Sequence, residues 1–160
     1  MKNTLKTGSF VLAMALFSHS VAAAEMQTCE QEINAVNAFL SHSGSPAIVN
    51  VADFATTLRT LNTTGRLPPK YITSDEARRL GWSGKDTDGL WGLTPTNGKW
   101  IGGDSLQNKT LPANAAWYSA DVDVLKGFRG EKRLAYTLSG PQRFYSPDKN
   151  QHFVEISPCR

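Results

Sequence analysis

The sequence predicts an α+β domain whose N-terminal helices pack on one face of an antiparallel β-sheet. Three observations carry that reading. Apolar residues recur at helical spacing as far as Gly81, and a glycine- and aspartate-rich stretch runs from Trp82 to Asn97. After Lys99, apolar and polar residues alternate with the period of strands. A chain of 160 residues with 40% apolar content suffices for one buried core and is short for two ordinary domains.

Residues 1–24 read as a secretory signal peptide. Lys2 and Lys6 precede an apolar run from Phe10 to Phe17 that ends in Ala22-Ala23-Ala24. The run is about half the length a membrane span needs, so export to the periplasm or the medium is expected, without a membrane anchor. Two of the 17 basic side chains leave with that leader, and the rest nearly balance the 14 acidic ones. Global charge therefore gives little support for nucleic-acid binding. Cys29 and Cys159 allow one intramolecular pairing, which the oxidising compartment favours. Closing a loop of about 130 residues contributes roughly 4 to 5 kcal/mol as an upper figure.

Residues 25–48 form an N-terminal helix and linker, and residues 49–160 the main domain. Ile33, Val36 and Leu40 share one helical face, and Ser41 to Pro46 reads as the linker. Asn50 caps a second helix carrying Val51, Phe54, Leu58 and Leu61, which stops at Gly65. Thr73 and Glu76 form a capping box for a third, with Ile72 and Ala77 as a hydrophobic staple and Gly81 as the stop. Leu90 and Trp91 anchor the following loop. In that loop Asp86-Thr87-Asp88-Gly89 lacks the third acid and the distal glutamate of a calcium site. The four tryptophans are read as core or loop anchors.

Tyr118, Ala120, Val122 and Val124 alternate with Ser119, Asp121 and Asp123. After a turn at Lys126-Gly127, Arg133, Ala135 and Thr137 share a strand face. Two adjacent antiparallel strands would then present Ser119, Asp121, Arg129 and Arg133 to one concave surface, an anion site in outline. Spacing equally allows the arginines to pair with Asp121, Asp123 and Glu131 in a structural network. With two histidines after the leader, His42 and His152, a metal-ligand cluster is not expected, nor is any cofactor.

The order of motifs resembles the barnase group of secreted, guanyl-preferring microbial ribonucleases. The pieces are Val51-Ala52-Asp53-Phe54, Leu67-Pro68 with Tyr71-Ile72-Thr73, Glu76-Ala77 with Leu80-Gly81-Trp82, Leu90-Trp91, Ile101-Gly102-Gly103-Asp104, and Gly127-Phe128-Arg129 with Arg133. They span Val51 to Ile156; the first helix and the cysteine pair lie outside the common pattern. The resemblance implies a barnase-like fold and metal-independent cleavage of single-stranded RNA through a 2′,3′-cyclic phosphate. Such chemistry takes a carboxylate base, a histidine acid and cations around phosphorus.

Residue by residue, the resemblance implies phosphate-binding roles for Arg129 and Arg133 and places Asp104 at the aspartate of its motif. Ser119 stands where the family has its glutamate base. Lys149 falls at the histidine acid, Asn150 at the usual tyrosine and Ser74 at the active-site lysine. The base-reading loop, Gln107-Asn108-Lys109-Thr110, lacks the family's glutamate. Each lost proton-transfer group typically costs about 10²- to 10⁴-fold. Substitutes would be Asp121 as base, His152 as acid and Arg78 for the missing cation. The expectation is an exported, largely degenerate ribonuclease, weak or inactive and monomeric, that binds RNA phosphate or an acidic inhibitor of the barstar type through Arg129, Arg133, Lys149 and Lys109. The alternatives are an endoribonuclease with a rebuilt base and acid, and a scaffold for the N-terminal helix.

Overall fold

The computed structural model describes residues 25–160; the signal peptide expected over residues 1–24 lies outside the described residues. Helix α1 (Cys29–Ser43) opens on a capping box in which Thr28 Oγ1 accepts the Gln31 amide and the Gln31 side chain accepts the Thr28 amide. It runs three residues beyond Leu40, into the predicted linker. Ser41 and Ser43 turn their hydroxyls to the carbonyls of Ala38 and Leu40, and Gly44 ends the helix in the left-handed region. Helix α2 (Val51–Thr64) has the predicted caps, Asn50 and Gly65. Helix α3 (Ser74–Arg79) has the predicted Thr73–Glu76 box.

Six strands form one sheet in sequence order: β1 (Tyr71–Ile72), β2 (Trp100–Leu106), β3 (Trp117–Asp121), β4 (Arg133–Tyr136), β5 (Arg143–Ser146) and β6 (Val154–Ile156). All neighbours are antiparallel except β1, which runs parallel to β2. A two-residue strand next to a capping box carries no alternation, so periodicity could not reveal it. The strand predicted through Val124 stops at Asp121, because Asp123 takes a positive φ of 54°. The long loop contains two short 3₁₀ turns, Leu90–Gly92 and Thr94–Thr96.

The sheet's two faces have different tasks. Ala120, Leu134, Tyr136, Tyr145 and Ile156 face the helices and share a core with Cys29, Ile33, Leu40, Phe54 and Leu58. Helix α1 is thus built into the main core, and Cys29 and Cys159 form a disulfide beside it with Cα atoms 4.8 Å apart. The opposite face carries Ser119, Asp121 and Arg133, with Trp117, Ala135 and Phe144 packed further along. Gly102 in β2 is required by space: a Cβ there would lie 2.5 Å from Tyr71 Cδ1 and 3.0 Å from Ala120 Cβ. Gly103, at φ 97°, supplies the bulge that shifts the β2–β3 register and sets Asp104 opposite Ser119.

Candidate functional site

Asp121 is the centre of the site. It closes β3 opposite Arg133, the first residue of β4, and is 0% exposed. Arg129 approaches from the connecting loop and donates from Nε to Oδ2 at 2.8 Å and from Nη2 to Oδ1 at 2.9 Å. Arg133 Nε stands 3.2 Å from Oδ1, while its Nη1 donates to the Gly130 and Lys132 carbonyls. Both guanidiniums are held by the fold, and the site and network readings of the sequence therefore describe the same residues. Burial pushes the Asp121 carboxyl up from its ordinary range, and the two arginines oppose that pull. Asp123 and Glu131 do not join the arginines. Asp123 accepts from Lys132 Nζ and from the Val49 and Asn50 amides, and Glu131 contributes its carbonyl to the Lys149 amide.

A second carboxylate closes the cluster from outside the sheet. Asp86, in the loop after α3, accepts from Lys149 Nζ at 3.0 Å and lies 3.4 Å from Arg129 Nη1. Burial alone would raise its carboxyl, but the Lys149 hydrogen bond and the Arg129 charge outweigh it and hold it below the usual range. The loop is carried there by its own anchors: Trp82 Nε1 donates to the Asp88 carbonyl, and the Leu90 amide donates to the Gly127 carbonyl. Sequence reading weighed Asp86 only as a calcium ligand. No spacing pattern marks it, because its partners lie 43 and 63 residues downstream.

Around this centre the predicted residues divide. Lys149 is 47% exposed and stands at the rim beside Arg129. Lys149 and Asn150 both adopt positive φ, 55° and 66°, and the turn brings Asn150 Nδ2 within 3.2 Å of Ser119 Oγ. The remaining amide atom, Asn150 Oδ1, is buried without a hydrogen-bond partner. Asn108 donates to the Asn150 carbonyl and accepts from Thr110, which ties the base-loop position to this turn. Lys109 beside it is exposed, and no ion pair joins it to the cluster among the described residues. Asp104 accepts from the Ser74 amide at 2.8 Å and from its hydroxyl, so both belong to a link between β2 and α3.

Each of the three proposed substitutes has a partner of its own. Asp121 has both oxygens in contact with arginines and is sealed from solvent, so its carboxylate presents no exposed oxygen to a ribose hydroxyl. His152 is 82% exposed and its Nδ1 pairs with Asp148 Oδ2. Arg78 pairs with Asp75 at 3.1 Å on the rim of a cavity of about 480 Å³ lined also by Ser74 and Asp104. Among the described residues no cluster of three histidine, cysteine or acidic side chains could hold a metal ion, and no helix is long and apolar enough to cross a membrane.

Helices over one face of the sheet and a carboxylate-centred arginine pair on the other define a small α+β domain. The chain is 40% identical over 76 residues to a ribonuclease of Heyndrickxia coagulans, a match covering 45% of this chain and 67% of that protein. It is equally similar, at 40% over 76 residues, to ribonucleases of Bacillus intermedius and Bacillus pumilus, and there it spans about half of their length, 45%. No family model matches the chain. The chain belongs to the barnase-like family of microbial ribonucleases.

Proposed function

We propose that this ribonuclease-fold protein is exported and binds an anion, RNA phosphate before an acidic protein, in the cleft formed by Arg129, Arg133 and Lys149, with little or no power to cleave it. The observation that carries this reading is the pairing of Asp86 with both Arg129 and Lys149. An oxyanion already sits between the two cations that substrate phosphate would use, so the cleft has the charge geometry of a phosphate site. The proton-transfer positions beside it hold Ser119 and Lys149. A serine hydroxyl is a feeble base at neutral pH, and a lysine ammonium is a good phosphate partner. The disulfide supports export.

Cleavage of single-stranded RNA by the oxidised protein tests the reading, beside Lys149→Glu and the double reversion Ser119→Glu/Lys149→His. The expected result is retention of RNA without cleavage, loss of retention in Lys149→Glu, and cleavage appearing in the reversion. Efficient cleavage by the native chain would overturn the degenerate reading and establish an endoribonuclease with a different base and acid. RNA retention that Lys149→Glu leaves unchanged would remove the cleft from the function and favour the scaffold role for α1.

A further inference from the structure

Past the end of β4, away from Arg133, the loop from Thr137 to Pro141 folds against the C-terminal end of α2 and against Pro158 and Cys159. Together with Met26 they enclose a cavity of about 570 Å³. That volume falls in the range of roughly 300–1,000 Å³ typical of small-molecule sites. Its walls are mostly apolar, from Met26, Leu61, Leu138 and Pro158, and Leu138 remains 58% exposed.

Among the described residues, one charged side chain lines this cavity. Arg143, at the start of β5, is 6% exposed. Its Nη1 donates to the carbonyls of Thr137, Gly140 and Gln142 at 3.0, 3.0 and 2.8 Å, which fixes the guanidinium plane. Its Nε is buried with no acceptor, and Nη2 has no partner among the described residues. No carboxylate among them pairs with it, whereas the other buried arginine, Arg133, has Asp121. Burial pushes the Arg143 guanidinium down from its usual range, yet an arginine stays charged at neutral pH. The fold thus keeps a desolvated cation, held rigid by three carbonyls and lacking the opposite charge that normally accompanies burial.

We propose that this groove binds a small organic monoanion, a carboxylate on an apolar body, with Arg143 receiving the carboxylate and Met26, Leu61, Leu138 and Pro158 covering the body. A single guanidinium matches one carboxylate through charge-assisted hydrogen bonds. A phosphomonoester dianion would keep an uncompensated charge, because no second cation lines the cavity among the described residues. The site is separate from the Arg129–Arg133 cleft and does not depend on the function proposed for it.

Titration of the oxidised protein with octanoate, octanol and octyl phosphate tests the assignment, read by backbone amide NMR shifts. Octanoate is expected to shift the amides of Ser139, Gly140 and Arg143 saturably, and octanol and octyl phosphate to bind about tenfold or more weakly. Arg143→Gln should abolish the octanoate shifts. Since that change also loosens the hairpin, Leu138→Asp provides a second variant, placing a like charge at the mouth from an exposed position, and should weaken octanoate about tenfold. Equal binding of octanol, equal or tighter binding of octyl phosphate, unchanged octanoate affinity in Leu138→Asp, no octanoate shifts at all, or octanoate shifts confined to Arg129 and Lys149 would each overturn the proposal.

Discussion

Lys149 donates to Asp86 at 3.0 Å, across 63 residues of chain, and Arg129 Nη1 lies 3.4 Å from the same carboxylate. Any phosphate that reaches Arg129 and Lys149 must first displace this carboxylate. Asp86→Asn is therefore expected to tighten binding of a short single-stranded RNA by up to about fivefold at low salt, since the pair is half-exposed and a surface ion pair contributes about 1 kcal/mol or less. The gain should shrink as salt screens the cleft. Fluorescence anisotropy at two ionic strengths checks it; equal affinities for both proteins would mean that Asp86 does not occupy the phosphate position.

Arg133 is as much a structural residue as a ligand-binding one. Removing its guanidinium leaves Asp121 buried with one arginine fewer, and breaking such a pair costs about 3–5 kcal/mol. Arg133→Ala should accordingly lower the urea midpoint sharply, whereas Lys149→Ala, at the exposed rim, should leave stability within about 0.5 kcal/mol. Loss of binding in Arg133→Ala is interpretable only beside that stability measurement. A Lys149 variant as unstable as the Arg133 variant would contradict this division.

The helices were legible because their caps are local: Asn50 with Gly65, and Thr73 with Glu76, are three- to fifteen-residue patterns that the fold reproduces. The shared face of Ser119, Asp121 and Arg133 was legible because strand alternation fixes it. What escaped was set by long-range packing. The parallel strand β1 needs the whole of β2 beside it, Asp86 reaches its partners only when the loop after α3 docks on Gly127, and Asp123 leaves the arginines for the amides that open α2. Family resemblance drew attention to Arg129, Arg133, Ser119 and Lys149, and the fold sets Arg129, Arg133 and Lys149 around two carboxylates, Asp121 and Asp86. It could not report that Asp121, offered as a substitute base, is fully buried and holds both arginines.

The disulfide joins the two ends of the described chain, and hydrogen bonds reinforce the join: the Cys29 amide donates to the Arg160 carbonyl, the Arg160 amide to the Gln27 carbonyl, and the Ser157 amide to Glu32 Oε1. A loop of 130 residues makes the entropic gain large. Cys29→Ser/Cys159→Ser is expected to cost about 2–4 kcal/mol, below the loop-closure maximum because these hydrogen bonds hold the ends together without it. Calorimetry with and without reductant checks this; a double variant of unchanged Tm would show that the contacts alone suffice.

Asp123 is expected to contribute to the acid side of the stability curve. Burial by itself would raise its carboxyl, but hydrogen bonds from Lys132 and from the Val49 and Asn50 amides hold it below the ordinary carboxylate range. A carboxyl depressed in the folded state contributes stability that is fully present above its unfolded pKa of about 3.9 and is lost as pH falls through the lower folded value. Stability should thus decline below about pH 4, and part of the decline should vanish in Asp123→Asn. That variant keeps one acceptor for an amide but loses the Lys132 pair, so it should also be less stable at pH 7 by about 1–3 kcal/mol. Urea unfolding at pH 3 and pH 7 separates the two effects: the gap between native and variant must narrow at pH 3, and a gap of constant width would place the acid sensitivity on other carboxylates, Asp86 and Asp148 first among them.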